Sequence, residues 1–485
     1  MANAATCERD EIVQLRRKLN ERDGEIAQLR KQLDERDNGL AELCAQNASL
    51  STRIAELERL VEEVRRSGKR QAAPFRKGDP KEAPAKPGRK KGNAHGRHGH
   101  RMAPTHVDRE IDVGLPGSCP HCGGEIVEGD VFDQYQSELP EMRPVVTRFR
   151  VHVGRCRGCK KRIQPRHPEQ TSDALGAAGS QLGPNAKAWA AWLHYGLGLS
   201  FGKVTDVLGR LGVPVTRGAL PQSATSTCTD LVPTNKAIRK HVGSSDMVVM
   251  DESGWRIGGK NAWLWVAVSR DATLYYVDYG RGFSEAVKLV DEDYDGVIVR
   301  DGWGVYSSYT KATHQTCIAH LLRRCREMKE ELPDWALGTP KRVADILTDA
   351  LDARDLSGSE REAAFDDVTE RMDMVLEGPT AHKANKRLIK HLRHEQDALF
   401  TFLRIPDIDA TNWRGEQAVR PAVVNRKVWG GNRTEHGATV QGSIMTFLRT
   451  ATQQGVDAIE AIVTLARDPT PGIAPGLRLV QPHST

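Results

Sequence analysis

Long apolar runs are what this sequence most clearly lacks. Of its 485 residues, 39% are hydrophobic and 5% aromatic, and no stretch approaches the roughly 18 consecutive apolar residues of a membrane-spanning helix. The segment Met1 to Asp10 has no apolar core of the kind that marks a secretory signal. A Gly-x-x-x-x-Gly-Lys-Ser/Thr phosphate loop is also missing, so no nucleotide energy source is indicated. We therefore expect a cytoplasmic protein of two to four domains, at roughly 100–200 residues per domain.

Cysteine is scarce and unevenly placed, with nine residues in all. Four of them form the pairs Cys119-Pro-His-Cys122 and Cys156-Arg-Gly-Cys159, which is a metal-binding pattern rather than a disulfide framework. Two such turns supply the four thiolates that suit one zinc ion in a closed, structural site. The spacer between the pairs predicts a strand hairpin. His121 is an alternative ligand, and unligated buried cysteines are the alternative to a metal site.

Positive charge is concentrated in one segment. The whole chain carries +6, but eleven Lys/Arg and two acidic residues between Lys69 and Arg101 give that segment +9, and the remainder sums to −3. Residues 67–108 are rich in Pro, Gly, Lys, Arg and His, and predict a disordered basic linker around Arg89. A segment of this kind binds the phosphates of DNA without regard to sequence; a solubilising spacer is the alternative.

The N-terminal segment carries an unbroken heptad pattern. Thirteen of sixteen positions spaced by alternating steps of three and four between Ile12 and Val64 are apolar. Such a repeat keeps one seam on the inside of a supercoil, and Asn47 falls at an a position, where a buried amide favours a two-stranded coil. The pattern predicts a homodimer through residues 1–66; a helix folding back on its own chain is the alternative.

Residues 173–243 predict helices. Ala186 to Gly196 has an apolar face, and Ser200 is a candidate N-cap for a helix to Leu211. A turn through Gly212–Gly218 then leads to a third helix. A DNA-reading helix-turn-helix and an ordinary helical hairpin both fit this pattern.

From residue 246 the pattern changes to short apolar strands. Met247–Met250 runs into Asp251, two further strands follow at hairpin distances, and Val297–Val299 precedes Asp301 after an intervening helix. If the first and fourth of these strands are neighbours, both aspartates lie at one edge of the sheet, where ligands gather in α/β proteins. A single aspartate at a strand end is more commonly a turn residue; the pair is what indicates a site.

Several short motifs resemble those of bacterial transposases of the insertion sequence 66 family. They lie in the same order as in that family, after the coil, the basic segment and the cysteine pairs. The motifs are Met250-Asp-Glu-Ser-Gly-Trp255, Val299-Arg-Asp-Gly-Trp303, His314-Gln-Thr-Cys-Ile-Ala-His-Leu-Leu-Arg323, Thr411-Asn-Trp-Arg-Gly-Glu416, Arg420-Pro-Ala-Val-Val-Asn-Arg-Lys427 and Gly430-Gly-Asn-Arg433. The chain departs from many relatives at Trp413 and Gln417.

The resemblance implies a ribonuclease-H-like fold with an Asp-Asp-Glu triad of Asp251, Asp301 and Glu416, the last on a helix after a helical insertion at about 333–400. Cys317 and His320 match a Cys-x-x-His element of similar transposases. We interpret the cysteine as buried and the histidine as packed or facing phosphate. Glu252 is excluded as a ligand because adjacent strand side chains point to opposite faces, and Glu435 because Glu416 carries the family match.

The implied chemistry needs two Mg²⁺ or Mn²⁺ ions, which carboxylate oxygens bind and which stabilise attacking and leaving phosphate oxygens. The implied substrates are the element's ends and target DNA, and companion proteins of the element are possible partners in a bacterial, nucleoid-associated setting. Arg420 faces either a phosphate or Glu416. The 426–433 loop is either a grip on a DNA end or a solvated loop; its candidate DNA-binding residues are Arg426, Lys427 and Arg433.

Together these features predict a multidomain α+β protein. Its segments are a coiled coil (1–66), a basic linker (67–108), a zinc-binding module (109–172), a helical region that is a candidate for DNA binding (173–243), a ribonuclease-H-like catalytic domain with a helical insertion (244–470) and a tail (471–485). The predicted function is a two-metal DNA transposase. A catalytically silent DNA-binding derivative and a nuclease without strand transfer are the alternatives.

Overall fold

The computed structural model describes residues 13, 16–33, 35–36, 39, 42–43, 46–53, 102–176, 181–468 and 470–479. The chain divides into two compact units, residues 1–102 and 103–485. None of the described helices is long and apolar enough to cross a membrane.

In the first unit, the described residues of the predicted coil are helical. The heptad leucines and isoleucine among them are exposed to solvent in the single chain, Leu19 by 64% and Leu29 by 63%. An apolar seam that its own chain leaves uncovered is what a partner helix would bury, so self-association stays a prediction. The predicted linker at 67–101 lies outside the described residues.

The cysteine-rich segment begins the second unit. Among its described residues, 103–176, the strands are β1 Gly154–Arg155 and β2 Arg162–Ile163. They pair antiparallel around the second cysteine pair. The hairpin predicted for the spacer between the two cysteine pairs was wrong, because residues 125–153 make no strand pairing and are largely exposed; alternation in polarity forms a strand only where a partner and a core exist to bury one face.

A five-stranded mixed sheet forms the centre of the second unit, with the order β5-β4-β3-β6-β7. The bounds are β3 Met247–Ile257, β4 Lys260–Val268, β5 Thr273–Asp278, β6 Val297–Arg300 and β7 Thr313–Thr316. β3 to β5 form an antiparallel meander, while β6 is parallel to both β3 and β7. The first and fourth strands of the sequence pattern, β3 and β6, are therefore neighbours, which is the condition for both aspartates to lie at one edge of the sheet. β3 is longer than predicted, since its hairpin with β4 carries it through Asp251 to a turn in which Gly258 and Gly259 both have positive φ.

The helices surround this sheet and fill the insertion after β7. They are α1 Pro184–Ala191, α2 Phe201–Arg210, α3 Ala219–Asp230, α4 Val232–Gly243, α5 Phe283–Ala286, α6 Ile318–Glu331, α7 Gly338–Asp352, α8 Gly358–Glu377, α9 Lys383–His394, α10 Thr401–Arg404, α11 Trp413–Trp429, α12 Glu435–Gln454 and α13 Ala458–Arg467. A π-helical turn, Trp192–Gly196, extends α1. Ser200 caps α2 by accepting the Lys203 N–H, as predicted.

Two apolar cores lie on opposite faces of the sheet. Val249 and Val299 face a core that α11, α12, α1 and α3 complete. Val248 and Ile298 face the other core, with α4 and α5. The helices of the insertion, α7 to α10, pack together with α6 around a third core. This alternation assigns each polar residue that follows these strands to one face of the sheet.

The helical region before β3 belongs to this body and is joined to α11 by a ring stack. His194 lies between Phe201 and Trp429, with ring centroids 3.7 Å and 4.2 Å away. Its Nδ1 lies 2.6 Å from the Leu199 carbonyl oxygen. α3, the helix that would read DNA in a helix-turn-helix, contributes Ala224 to the core beneath α12. A DNA-reading role for α2 and α3 stays a prediction.

Candidate active site

The pairing of β3 with β6 places two aspartates side by side. Val249 is in register with Val299 on the neighbouring parallel strand. Asp251 and Asp301 each follow two residues later, so they stand at the same level on strands that are about 4.8 Å apart. Asp301 folds back at the strand end, where its Oδ1 accepts the Trp303 N–H at 3.0 Å.

The first turn of α11 packs directly against Asp251. A Cβ at Gly415 would lie 3.0 Å from the Asp251 Cβ and 2.2 Å from the Asn412 Oδ1. Only glycine therefore permits this approach, which explains the glycine of the Trp-Arg-Gly-Glu motif. Asp251 has the side-chain direction of Val249, toward the face on which α11 lies. Glu416, the next residue after Gly415, is thereby carried to the same edge of the sheet.

Glu416 lies at the rim of this site, near His320 and Arg323 of α6. Its Oε1 is 3.7 Å from His320 Nε2 and 3.8 Å from Arg323 Nη2, and its side chain is 47% exposed. His320 and Arg323 are three residues apart and so share one face of α6. The Nδ1 of His320 is buried without a hydrogen-bond partner.

The start of α6 is fastened to the start of α11. The buried Cys317 Sγ accepts the Asn412 N–H at 3.1 Å, and the Ile318 N–H donates to the Ala410 carbonyl at 3.1 Å. The Cys-x-x-His element is thus a buried cysteine that holds the backbone and a histidine directed at Glu416. Burial raises the pKa of Cys317, so its thiol is not activated as a nucleophile.

The electrostatics of the site are dominated by crowded carboxylates. Burial, and then the charges of Glu252, Asp301 and Glu416, raise the pKa of Asp251 to about 8. Glu416 therefore lies close enough to repel the charge of Asp251. Among the described residues, no three carboxylate, imidazole or thiolate side chains converge closely enough to form a preassembled metal site.

Glu252 lies on the opposite face of the sheet from Asp251. Its carboxylate accepts hydrogen bonds from Tyr306 and, at 2.6 Å, from Arg281. The Arg281 guanidinium is stacked between the rings of Trp263 and Trp303, 4.3 Å and 4.0 Å from their centroids. Glu252 is thus set apart from Asp251, as the alternation of side chains along a strand predicts. Glu435 also lies apart, at the start of α12, where it bonds Tyr279.

Two contacts join the insertion to the strand that carries Asp301, one just before the aspartate and one just after it. Arg300, one residue before it, forms a buried 2.7 Å ion pair with Glu395 just beyond α9. Gly302, one residue after it, faces His391 of α9, whose Cε1 lies 2.5 Å from where a Cβ would be. Sequence reasoning missed His391, Arg323 and Glu395; the Asp-Gly-Trp glycine was the available signal, because it indicated a close approach by another element.

The predicted DNA-binding residues have different surroundings. Arg420, Lys427 and Arg433 are exposed, and the first two make contacts of their own. Arg426 is half-buried and donates to the Gly254 carbonyl of β3, so part of its role is to brace the strand. Asn432 accepts the Trp255 indole N–H at 2.7 Å, which ties the loop after α11 to the same strand.

The two cysteine pairs form turns of the same design. In each, the first cysteine's carbonyl accepts the N–H four residues on, Gly123 at 2.8 Å and Lys160 at 3.0 Å. Both of those residues have positive φ. The pKa of Cys119 is lowered first by a backbone hydrogen bond from His121, and that of Cys156 first by one from Cys159. The partner thiol of each pair lowers the pKa further. Both effects favour the thiolate, which is the form that binds metal.

The raised pKa of Asp251 gives a test in metal-free protein. A carboxyl group whose pKa rises on folding, here from 3.8 to about 8, favours the fold while protonated; that contribution is lost as pH rises across this interval. In EDTA at pH 8.5, the Asp251→Asn protein should therefore have a Tm several degrees above that of the wild type. The shift follows because each kcal/mol of added stability raises Tm by about 2–4 °C. At pH 5 the Tm values of the variant and the wild type, measured by calorimetry, should differ little.

Glu416→Gln, at an exposed position, is the matched control, and its Tm at pH 8.5 should rise much less. An Asp251→Asn protein that melts at or below the wild-type temperature at pH 8.5 would show that the carboxylate is not crowded.

Comparison with known proteins places the whole site within one family. The sequence profile of the transposase IS66 family matches residues 179–440, a span from the helical region to α12 that contains both aspartates and Glu416. The uncharacterized protein y4qI of Sinorhizobium fredii is 23% identical over 390 residues, covering 73% of this chain and 70% of that protein. Because the profile covers more than half of the chain, this protein belongs to the transposase IS66 family.

Proposed function

We propose that this transposase cuts DNA at the ends of an insertion sequence and joins the freed ends to target DNA, using Asp251, Asp301 and Glu416. The observation that supports the proposal is that three separate elements bring these residues to one edge of the sheet: two neighbouring parallel strands and the helix packed on them. The strand order and directions support a ribonuclease-H-like fold.

The donor set fits divalent metal ions of the Mg²⁺ type, which prefer carboxylate oxygens and retain several waters. A buried aspartate whose charge is opposed by neighbouring carboxylates gains most from a cation placed among them. When bound, two such ions, Mg²⁺ or Mn²⁺, would stabilise the charge on the attacking and leaving phosphate oxygens.

The chain's own residues hold the reacting groups in place. Asp251 and Asp301 fix one side of the pocket on a rigid sheet, and α11 brings Glu416 to the other. His320 and Arg323 hold the Glu416 carboxylate at 3.7 Å and 3.8 Å, which keeps an exposed side chain directed at the site. In the first step water attacks phosphorus and the bond to the 3′ oxygen breaks. In the second, that 3′ hydroxyl attacks a target phosphate and displaces another 3′ oxygen.

The triad is tested with the full chain, a labelled duplex carrying the element's ends, and Mg²⁺ or Mn²⁺. Asp301→Asn and Glu416→Gln should each slow cleavage by at least about 10²–10³-fold, the loss usual for one electrostatic stabiliser of a transition state. DNA affinity should be unchanged, because phosphate contacts elsewhere dominate binding.

Glu435→Gln, which removes a carboxylate at the start of α12, should cut at the wild-type rate. Cleavage retained in both triad variants would refute the assignment. In the wild type, strand transfer supports the transposase, cleavage alone supports a nuclease, and binding alone supports a silent DNA-binding derivative.

The cysteine turns support one structural zinc ion bound by Cys119, Cys122, Cys156 and Cys159. Their shared backbone geometry and thiolate-favouring hydrogen bonds are what a tetrahedral sulfur site needs from each half. Mass spectrometry of purified protein should find one zinc per chain, falling to near zero in the Cys122→Ser, Cys159→Ser double variant. Cys228→Ser should keep its zinc; an equal zinc content in the double variant would contradict the site.

A second copy of the chain is the proposed partner of the exposed heptad seam, because transposition requires two DNA ends in one assembly. Light scattering should give the mass of two chains of 53.6 kDa. Ile26→Asp with Leu29→Asp places two charges in the seam and should give one chain, since burying unpaired charge is costly. A wild-type protein with the mass of a single chain would contradict the coiled coil.

A requirement for companion proteins of the element is a separate proposal. It would be supported if the purified chain binds the element's ends but joins them to target DNA only when those proteins are present.

A further inference from the structure

The helix α9 is unusual in its charge. Its twelve residues, Lys383–His394, include five Lys/Arg and no Asp or Glu. Its apolar side, with Leu388, Ile389 and Leu392, is buried in the core of the insertion. Lys386, Arg387 and Lys390 are exposed on the remaining surface. A helix with one sign of charge and one buried face is a surface built for a polyanion rather than a salt-bridged solvent face.

This helix reaches the catalytic edge of the sheet through His391. The His391 ring contacts Gly302, next to Asp301. Arg387 lies one helical turn before His391 and on the same side of α9. Glu395, which follows α9, is buried and already bound by Arg300 and Thr316. That carboxylate is therefore occupied.

The helix α6 supplies a second arginine to the same place. Arg324 follows Arg323, which contacts Glu416, and it is half-buried. Burial lowers the pKa of Arg324, and the nearby charge of Arg387 acts in the same direction. Two guanidinium groups close enough to repel each other are stabilised when an anion binds between them, and the guanidinium fork suits phosphate.

We propose that Arg324 of α6 and Arg387 of α9 form a phosphate-binding face that holds the DNA backbone beside the scissile bond. The ligand is the phosphodiester backbone, read through charge and geometry rather than base sequence. On α6 the face adjoins Arg323, which contacts Glu416, and on α9 it adjoins His391, which contacts Gly302 next to Asp301. A strand bound there would pass along the carboxylate pocket. This inference rests on the proposed function, since it assigns the strand on which the triad acts.

The test is the salt dependence of binding to a fluorescent 40-base-pair duplex of arbitrary sequence, with the full chain in EDTA. Each phosphate contact contributes about 0.9 to the slope of log affinity against log salt. Arg324→Gln with Arg387→Gln should lower that slope by about 1.8, and should slow cleavage of element ends in Mg²⁺. Arg324→Lys with Arg387→Lys keeps the charge, so most of the slope should be retained, which excludes misfolding as the cause.

Lys341→Gln with Arg342→Gln is the matched control, because it removes the same charge from exposed positions of α7 in the same insertion. Its slope should equal that of the wild type. An unchanged slope in the Arg324, Arg387 glutamine variant, or an equal loss in the control, would overturn the proposal. The proposal would also be overturned if the glutamine variant kept its DNA affinity but was no longer retained on immobilised polyglutamate. That result would indicate an acidic protein partner. A wild type that binds DNA but never cuts it would instead count against the proposed function.

Discussion

The parallel pairing of β3 with β6 is the constraint on which the rest of the site depends. Its register sets Asp251 beside Asp301 at one level of the sheet, inside a body that buries the first of them. Two neighbouring carboxylates in such a place repel each other. The fold tolerates this because apolar cores on both faces of the sheet hold the strands. The energetic cost is therefore concentrated at the point where a cation would relieve it.

Glu416 reaches this pair through contacts that reinforce each other. The Gly415 approach brings α11 against β3, while Cys317 and Ile318 fasten α6 to the residues before α11. Arg300 and Gly302 join the far end of the insertion to the Asp301 strand. The insertion is thus attached to both of its neighbours in the site. This arrangement explains how the 96 residues between Thr316, the end of β7, and Trp413, the start of α11, leave the third carboxylate in place.

The same attachments give the insertion a second capability. Because α6 contacts Glu416 and α9 contacts Gly302, the proposal places the charges on their nearby surfaces beside the DNA. Arg323, Arg324 and Arg387 occupy such surfaces. In the proposed reaction the acidic pocket would hold cations, and its basic surround would hold the phosphates on which those cations act.

Much of this could be predicted from the sequence, because the relevant signals are local. Short apolar runs indicated β3 to β6, Ser200 indicated the cap of α2, and alternation along β3 separated Asp251 from Glu252. The family motifs pointed to Glu416. The length of β3 was not predictable, since its hairpin with β4 depends on a partner strand. The hairpin predicted for the spacer between the cysteine pairs was wrong for the converse reason, because the alternating segment has no partner strand.

The sequence by itself determined which residues can bear the chemistry and which strands and helices carry them. Only the tertiary structure decided that His320 and Arg323 hold Glu416, that Gly302 and Gly415 are needed for close approach, and that Arg426 braces a strand. These are contacts between residues that are distant along the chain. Their existence depends on how whole elements pack, and packing distances of a few ångströms leave no trace in local composition or periodicity.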